Sequence, residues 1–121
     1  MKRFVIHEHD ANIAGWHHDL RLERNHVLKS WAVPKGVPQE SGVRRIAIQV
    51  EDHKLSYRKF EGKIPEGQYG AGSVKIWDQG TYETTSWNKT KIEVTFSGKR
   101  LQSDYILRWM EKMKSWLLWK R

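Results

Sequence analysis

From Arg3 onward the chain is a succession of short runs in which polar and apolar residues alternate, cut repeatedly by Gly, Pro, Asn or Asp. A side-chain period of two marks a half-buried strand, whereas a helix repeats near 3.6. "RFVIHEH" is β-branched and aromatic, and "HHDLRLE" sets His17, Asp19, Arg21 and Glu23 on one face with Leu20 and Leu22 on the other. "KSWAVP" is stopped by Pro34-Lys35-Gly36. "RRIAIQVED" places Ile46, Ile48 and Val50 opposite Arg45, Ala47, Gln49 and Glu51. "SVKIWDQGTYE" predicts a hairpin across Asp78-Gln79-Gly80. "KIEVTFSG" alternates through Ile92, Val94 and Phe96, and "DYILRWM" through Tyr105, Leu107 and Trp109. From Ile106 the apolar spacing also fits a helix (106, 109, 110, 113, 117), but strand, turn, strand is the preferred reading of the tail. The turn-rich "GQYGAG" lacks the Lys-Ser/Thr of a nucleotide-binding loop and reads as a barrel corner.

Many short strands with little helix predict a mainly β, small closed antiparallel β-barrel of about eight strands, because closure removes the exposed edges. A length of 121 residues predicts a single domain over 1–121. The tryptophans at 31, 77, 109, 116 and 119 are expected mostly in the core, and Trp16 and Trp87 in loops, where they either pack or stack on bases.

Charge narrows the partner. Lys and Arg number 22 against 14 acidic residues, a net +8, which favours a polyanion, nucleic acid first. No apolar run approaches the roughly 18 residues of a membrane span, so no membrane partner is expected. "MKRFVIHEHD" turns polar too soon for a secretory signal, and there is no cysteine for disulfides or thiolate zinc sites. These features fit a cytoplasmic protein.

Four of the six histidines fall within "HEHDANIAGWHHDLRLE", residues 7–23. His17 and Asp19 share a strand face, and the "DANIAGW" turn returns the neighbouring strand that carries His9. Two imidazoles and a carboxylate are a common set for a divalent cation with open positions. A solvated polar edge, with Asp19 merely offsetting Arg21, would look the same in sequence. Arg21 beside the cluster suits a phosphate, which a guanidinium reads bidentately. Lys35 in its turn and Arg45 on its strand are candidates for the same pocket, or else an exposed turn lysine and a solvated sheet face. Arg45 shares its face with Glu51, and with His53 if the strand runs that far. His53 is a candidate to contact the phosphate or protonate a leaving oxygen.

"HDLRLE", "LKSWAVPKG", "VEDHKLSY", "FEGKIPEGQYGAGSVKIWDQGTYE" and "WLLWKR" together resemble, in order and over nearly the whole chain, the 3′-phosphoesterase domain of bacterial DNA ligase D and its free-standing archaeal and bacterial relatives. The resemblance implies a closed barrel with a basic active-site groove and a manganese-dependent enzyme acting on nucleic-acid 3′ ends. A diesterase step would remove a terminal ribonucleoside, and a monoesterase step would remove the 3′-phosphate to leave a hydroxyl for ligation. Residue by residue, it implies metal ligands at His9, His17 and Asp19, and phosphate-contacting cations at Arg21, Lys35 and Arg45. It further implies an active-site histidine at His53 and supporting polar groups at Glu51 and Tyr57, the last of which would otherwise read as core. Manganese suits the mixed nitrogen and oxygen donors better than magnesium; zinc, cobalt or iron would also fit them.

The chain departs from the family pattern in three places. The segment between His9 and His17 is about two residues longer than usual, and His7 stands where glutamine is common. The N-terminal arm of larger members has almost no counterpart before Phe4, so the monoesterase step is the activity expected first and the diesterase step second. A ligase and a polymerase are expected as separate chains, and the protein itself as a monomer. Two rivals remain: a catalytically inactive nucleic-acid-binding β-barrel, and an iron(II) oxygenase, whose usual ligand order differs from the one here.

Overall fold

The computed structural model describes all 121 residues. The strands are β1 (Lys2–Ala11), β2 (Gly15–Arg24), β3 (Val27–Val33), β4 (Arg44–Lys54), β5 (Gly62–Ile64), β6 (Gly72–Trp87), β7 (Lys91–Gly98), β8 (Asp104–Met110) and β9 (Ser115–Lys120). The single helical element is a 3₁₀ turn, Leu55–Lys59. The sheet runs β1-β2-β3-β4-β9-β8-β7-β6-β5, and an added pairing of β1 with β6 closes eight of these strands into a barrel. The ladders are antiparallel, and short β5 extends the sheet beside the start of β6. No helix is long and apolar enough to cross a membrane.

Alternation along the strands decides what fills the barrel. Phe4 and Ile6 of β1, Leu20 and Leu22 of β2, and Trp31 and Val33 of β3 all turn inward and are buried. They meet Phe96, Tyr105, Leu107, Trp116 and Leu118 from the other side. The ring centroids of Phe4 and Phe96 lie 4.5 Å apart, and those of Phe96 and Tyr105 lie 5.3 Å apart. The two inward tyrosine hydroxyls are satisfied, Tyr105 donating to Pro38 O and Tyr82 to Glu23 O, each at 2.5 Å, whereas the buried Trp31 indole N–H has no partner.

Several expectations change. Asp78-Gln79-Gly80 is no hairpin, because β6 runs straight through it for 16 residues. The ladder from β1 jumps from Ile6–Asp78 to His7–Ile76, so Trp77 is an extra residue, a β-bulge. The bulge lets Asp78 turn inward, where its carboxylate accepts the backbone N–H groups of Gln79, Lys99, Arg100 and Leu101. Gly80 is required by close approach, not by a turn: a Cβ there would lie 2.1 Å from Ser97 O.

On β4 the inward residue is Ala47, and Ile46 and Ile48 stay 45% and 48% exposed on the outside. Trp116, paired with Ala47, and Trp31, 6.0 Å from Trp116, already fill that part of the interior, leaving room only for a methyl. The tail is strand, turn, strand, with β8 and β9 paired from Tyr105–Lys120 to Met110–Ser115. Of the seven tryptophans, Trp31 and Trp116 are core and Trp77, Trp87 and Trp109 pack against it. Trp119 sits on the outer face under the Arg44 guanidinium, 4.7 Å from its ring. Trp16 and Trp87 are strand residues of β2 and β6, not loop residues.

Candidate metal centre and anion site

The site lies on the outward face of β1 and β2, beside the filled interior. The ladder pairs His9 with His17 and His7 with Asp19, so the outward side chains of both strands converge. The segment 55–71 folds back over them. Tyr57 covers His7 and His53, with ring centroids 5.3 and 4.9 Å away, and the loop before β6 brings Gly70 to His9. Asn12 of the β1–β2 turn ties this loop down through Ala71 O and Glu66. His7, His9, Asp19 and Arg21 are thus buried although they point away from the core.

One donor atom from each of His9, His17 and Asp19 falls within a cluster no wider than 4.8 Å. His9 Nδ1 lies 3.2 Å from Asp19 Oδ2, and His17 Nε2 lies 3.2 Å from Asp19 Oδ1. The opposite ring nitrogens face backbone carbonyls: His9 Nε2 is 2.8 Å from Gly70 O, and His17 Nδ1 is 3.1 Å from Gly15 O. A carbonyl can only accept, so those nitrogens carry the protons. In the neutral rings the other two nitrogens are then bare lone pairs turned toward a carboxylate. Acceptors facing acceptors need either extra protons or a cation between them. A backbone carbonyl fixing the far nitrogen is also how metal-binding histidines are commonly oriented. The donor set therefore fits a divalent ion and could hold one.

Without a cation, the charges favour a proton between His17 and Asp19. Burial opposes ionisation of Asp19, but hydrogen bonds with His17 and His9 and the charge of Arg21 outweigh it and hold its carboxyl well below the usual range. The hydrogen bond to Asp19 raises the His17 pKa against the effect of its own burial.

Arg21 is the hub of the neighbouring network. Its Nε donates to His7 Nδ1 at 3.1 Å, Nη1 donates to Ser30 Oγ at 2.9 Å, and Nη2 donates to Asp19 Oδ2 at 3.3 Å. A second Nη1 contact reaches His53 Nδ1 at 3.2 Å, and the Tyr57 ring lies 4.9 Å from the guanidinium carbon. A guanidinium has five hydrogens to give, and these four contacts leave at least one, on Nη2, for an anion. Burial, then Arg21, lowers the His7 pKa to about 4, which keeps it the neutral acceptor that Arg21 needs. Burial and Arg21 likewise lower that of His53. Burial raises that of Tyr57.

The structure brings together His9, His17, Asp19, Arg21, His53 and Tyr57. His53 gets there by a bulge. Leu28 pairs with His53 but Ser30 pairs with Val50, so β4 carries one extra residue and His53 turns from the face of Arg45 to that of Arg21. Glu51 reaches the site through its main chain, its carbonyl lying 3.0 Å from His53 Nδ1, while its own side chain is exposed. Lys35 and Arg45 stand apart from this network. They line a separate cleft of about 440 Å³ with Trp16, His18 and Trp77, and Arg45 Nη1 donates to Lys35 O at 2.6 Å. Arg45 shares the inward side of β4 with Ala47, at the end of the barrel, which is why it misses the metal-side face.

Three participants escaped the sequence reading. His7 shares its strand face with His9 two residues on, a signal that was available. Ser30 enters only through its register with Arg21, which sequence does not show. Gly70 reads in sequence only as part of a barrel corner. Its φ is +76°, which explains the glycine at this place, and a Cβ there would lie 3.4 Å from His9 Cε1, at ordinary contact distance.

A small antiparallel barrel with a two-histidine, one-carboxylate cluster beside a buried arginine is the class that fold and site define. A sequence profile for the DNA Ligase D 3′-phosphoesterase domain matches residues 7–109, and the chain belongs to that family. It is 48% identical over 108 residues to the multifunctional non-homologous end joining protein LigD of Mycobacterium bovis, covering 86% of this chain and 14% of that protein. The LigD of Mycolicibacterium smegmatis is 42% identical over 126 aligned residues, 95% of this chain and 16% of the relative. That of Pseudomonas aeruginosa is 52% identical over 80 residues, 66% of this chain and 9% of the relative. The chain thus spans less than a fifth of each of these relatives.

Proposed function

We propose that the protein is a manganese-dependent phosphoesterase that removes a 3′-phosphate from nucleic acid and so prepares a 3′-hydroxyl for ligation in end-joining repair. One observation supports this above the rest: two imidazoles with carbonyl-fixed protons turn bare nitrogens onto one carboxylate, directly beside a guanidinium with a hydrogen to spare. Bound by His9, His17 and Asp19, a divalent cation would polarise a phosphoryl oxygen and lower the pKa of a nearby water.

The protein's own groups do the remainder. Arg21 gives its free Nη2 hydrogen to a phosphoryl oxygen and offsets charge that grows in the transition state. His7 and Ser30 fix the direction of that guanidinium. His53 Nδ1 is engaged by Arg21 and the Glu51 carbonyl, so Nε2 is the nitrogen left to meet the phosphate or the leaving oxygen. The Tyr57 ring covers Arg21 and His7 and so closes one side of the site.

The test uses a labelled primer-template ending in a 3′-phosphate and a second ending in a ribonucleotide, each with and without manganese. Manganese-dependent loss of the phosphate is expected, and shortening of the ribonucleotide end would add the diesterase step. No conversion of either end, or conversion indifferent to metal, would overturn the proposal.

A further inference from the structure

The cleft on the other face of β2 is unused by this chemistry, and one residue in it is unlike its kind. Trp16 is 44% exposed, and it is the one exposed tryptophan among the seven. It is not loose. Its ring rests on His18 with centroids 4.9 Å apart, His18 rests on Trp77 at 4.5 Å, and the Arg100 guanidinium carbon lies 4.8 Å from the Trp77 ring centroid. His18 is itself pinned, its Nδ1 accepting the Val37 N–H at 2.9 Å. Gly36 closes the other flank: a Cβ there would come within 3.2 Å of Trp16 Cη2. The indole is thus held in place by a buried column yet open to solvent, in a cleft that also holds the cations Lys35 and Arg45. Trp16 precedes His17 of the metal cluster by one residue, and the β2–β3 ladder begins only at His18, so the two faces meet here where β3 no longer pairs with β2.

We propose that Trp16 is a stacking platform for a nucleobase of single-stranded nucleic acid, with Lys35 and Arg45 taking the adjoining phosphates. Every base has a π-face and every nucleotide a phosphate, so a fixed aromatic ring beside cations binds strands with little regard to sequence. The net charge of +8 favours the same partner. The proposal deepens the phosphoesterase reading and rests on it: the strand whose 3′ end enters the metal face would continue over the edge at Trp16–His17.

The experiment is fluorescence anisotropy of a labelled single-stranded DNA ending in a 3′-phosphate, without added metal, so that binding is read apart from turnover. Trp16→Ala is expected to weaken binding about tenfold, and Trp16→Phe to restore most of it. Single abasic sites placed in turn at the last few nucleotides give a second test that needs no variant. One position should reproduce the loss with the wild-type protein and add nothing to Trp16→Ala. Unchanged affinity in Trp16→Ala, or an abasic scan with no sensitive position, would overturn the platform. Trp16-dependent binding with no phosphate release would instead sink the phosphoesterase reading and leave the platform standing.

Discussion

His17 and His18 are neighbours on one strand and end in opposite circumstances. His17 turns to the face of Asp19, which raises its pKa, and it offers a nitrogen to the metal cluster. His18 turns the other way, stacks between Trp16 and Trp77, and burial lowers its pKa to about 4. The same side chain faces a carboxylate as a candidate metal ligand on one face and is a neutral packing element on the other. The difference comes from what each face presents, a carboxylate or two indoles, and not from the residue itself.

The largest effect should come from removing the acid on the first face. Asp19→Ala takes away the group that both histidines and Arg21 address, so phosphate release and manganese binding should both vanish while circular dichroism still reports the barrel. Arg21→Ala should separate the two functions. Turnover is expected to fall about 10²- to 10³-fold, with metal content by elemental analysis nearly unchanged. A turnover loss explained wholly by lost metal would refute the anion role.

A milder perturbation reaches the cluster from behind. Gly70→Ala strains a backbone at φ +76° and displaces the carbonyl that fixes His9. Manganese affinity, read by calorimetry, should drop roughly 10- to 100-fold, the usual consequence of losing such a partner.

On the second face the expected loss is stability. His18→Ala empties the space between two indoles and should cost about 2–4 kcal/mol in urea unfolding, with manganese affinity retained. The pH dependence sharpens the contrast. His7 and His18 have folded values near 4 against about 6.5 when unfolded. In that window the unfolded chain binds more protons. Their contribution is therefore full above pH 6.5 and is lost as pH falls toward 4, at up to about 1.4 kcal/mol per pH unit for each. His17 has the opposite sign: its contribution is present below pH 6.5 and is lost as pH rises through its raised folded value. In the metal-free protein the urea midpoint should drop between about pH 7 and about pH 5, and replacing His18 should remove its share of the slope. The smallest effect belongs to Tyr57→Phe. The ring covers Arg21, His7 and His53 without any hydrogen bond from its hydroxyl, so turnover should change less than about twofold.

The contrast also marks how far the sequence could be read. Period-two alternation correctly separated Asp19 and Arg21 from Leu20 and Leu22, and the "DANIAGW" turn correctly returned His9 beside His17. Alternation failed wherever a strand carries an extra residue. The bulge at Trp77 disguised a through-strand as an Asp-Gln-Gly turn, and the bulge in β4 moved His53 off the face of Arg45. A bulge adds one residue and shifts the alternation, and the sequence does not mark where the extra residue falls. Nor can alternation say which face is inside: Ile46 and Ile48 look like core, yet Trp116 and Trp31 leave room only for Ala47. Ser30 and Gly70 were invisible for a related reason, since each reaches the site through a contact between segments distant in sequence.

Everything proposed for the first face depends on one divalent ion sitting among His9, His17 and Asp19. Anomalous diffraction from a crystal grown with manganese tests it most directly. A single strong peak is expected in contact with His9 Nδ1, His17 Nε2 and an Asp19 oxygen. A peak elsewhere, or those three side chains making the same contacts with no ion among them, would contradict it.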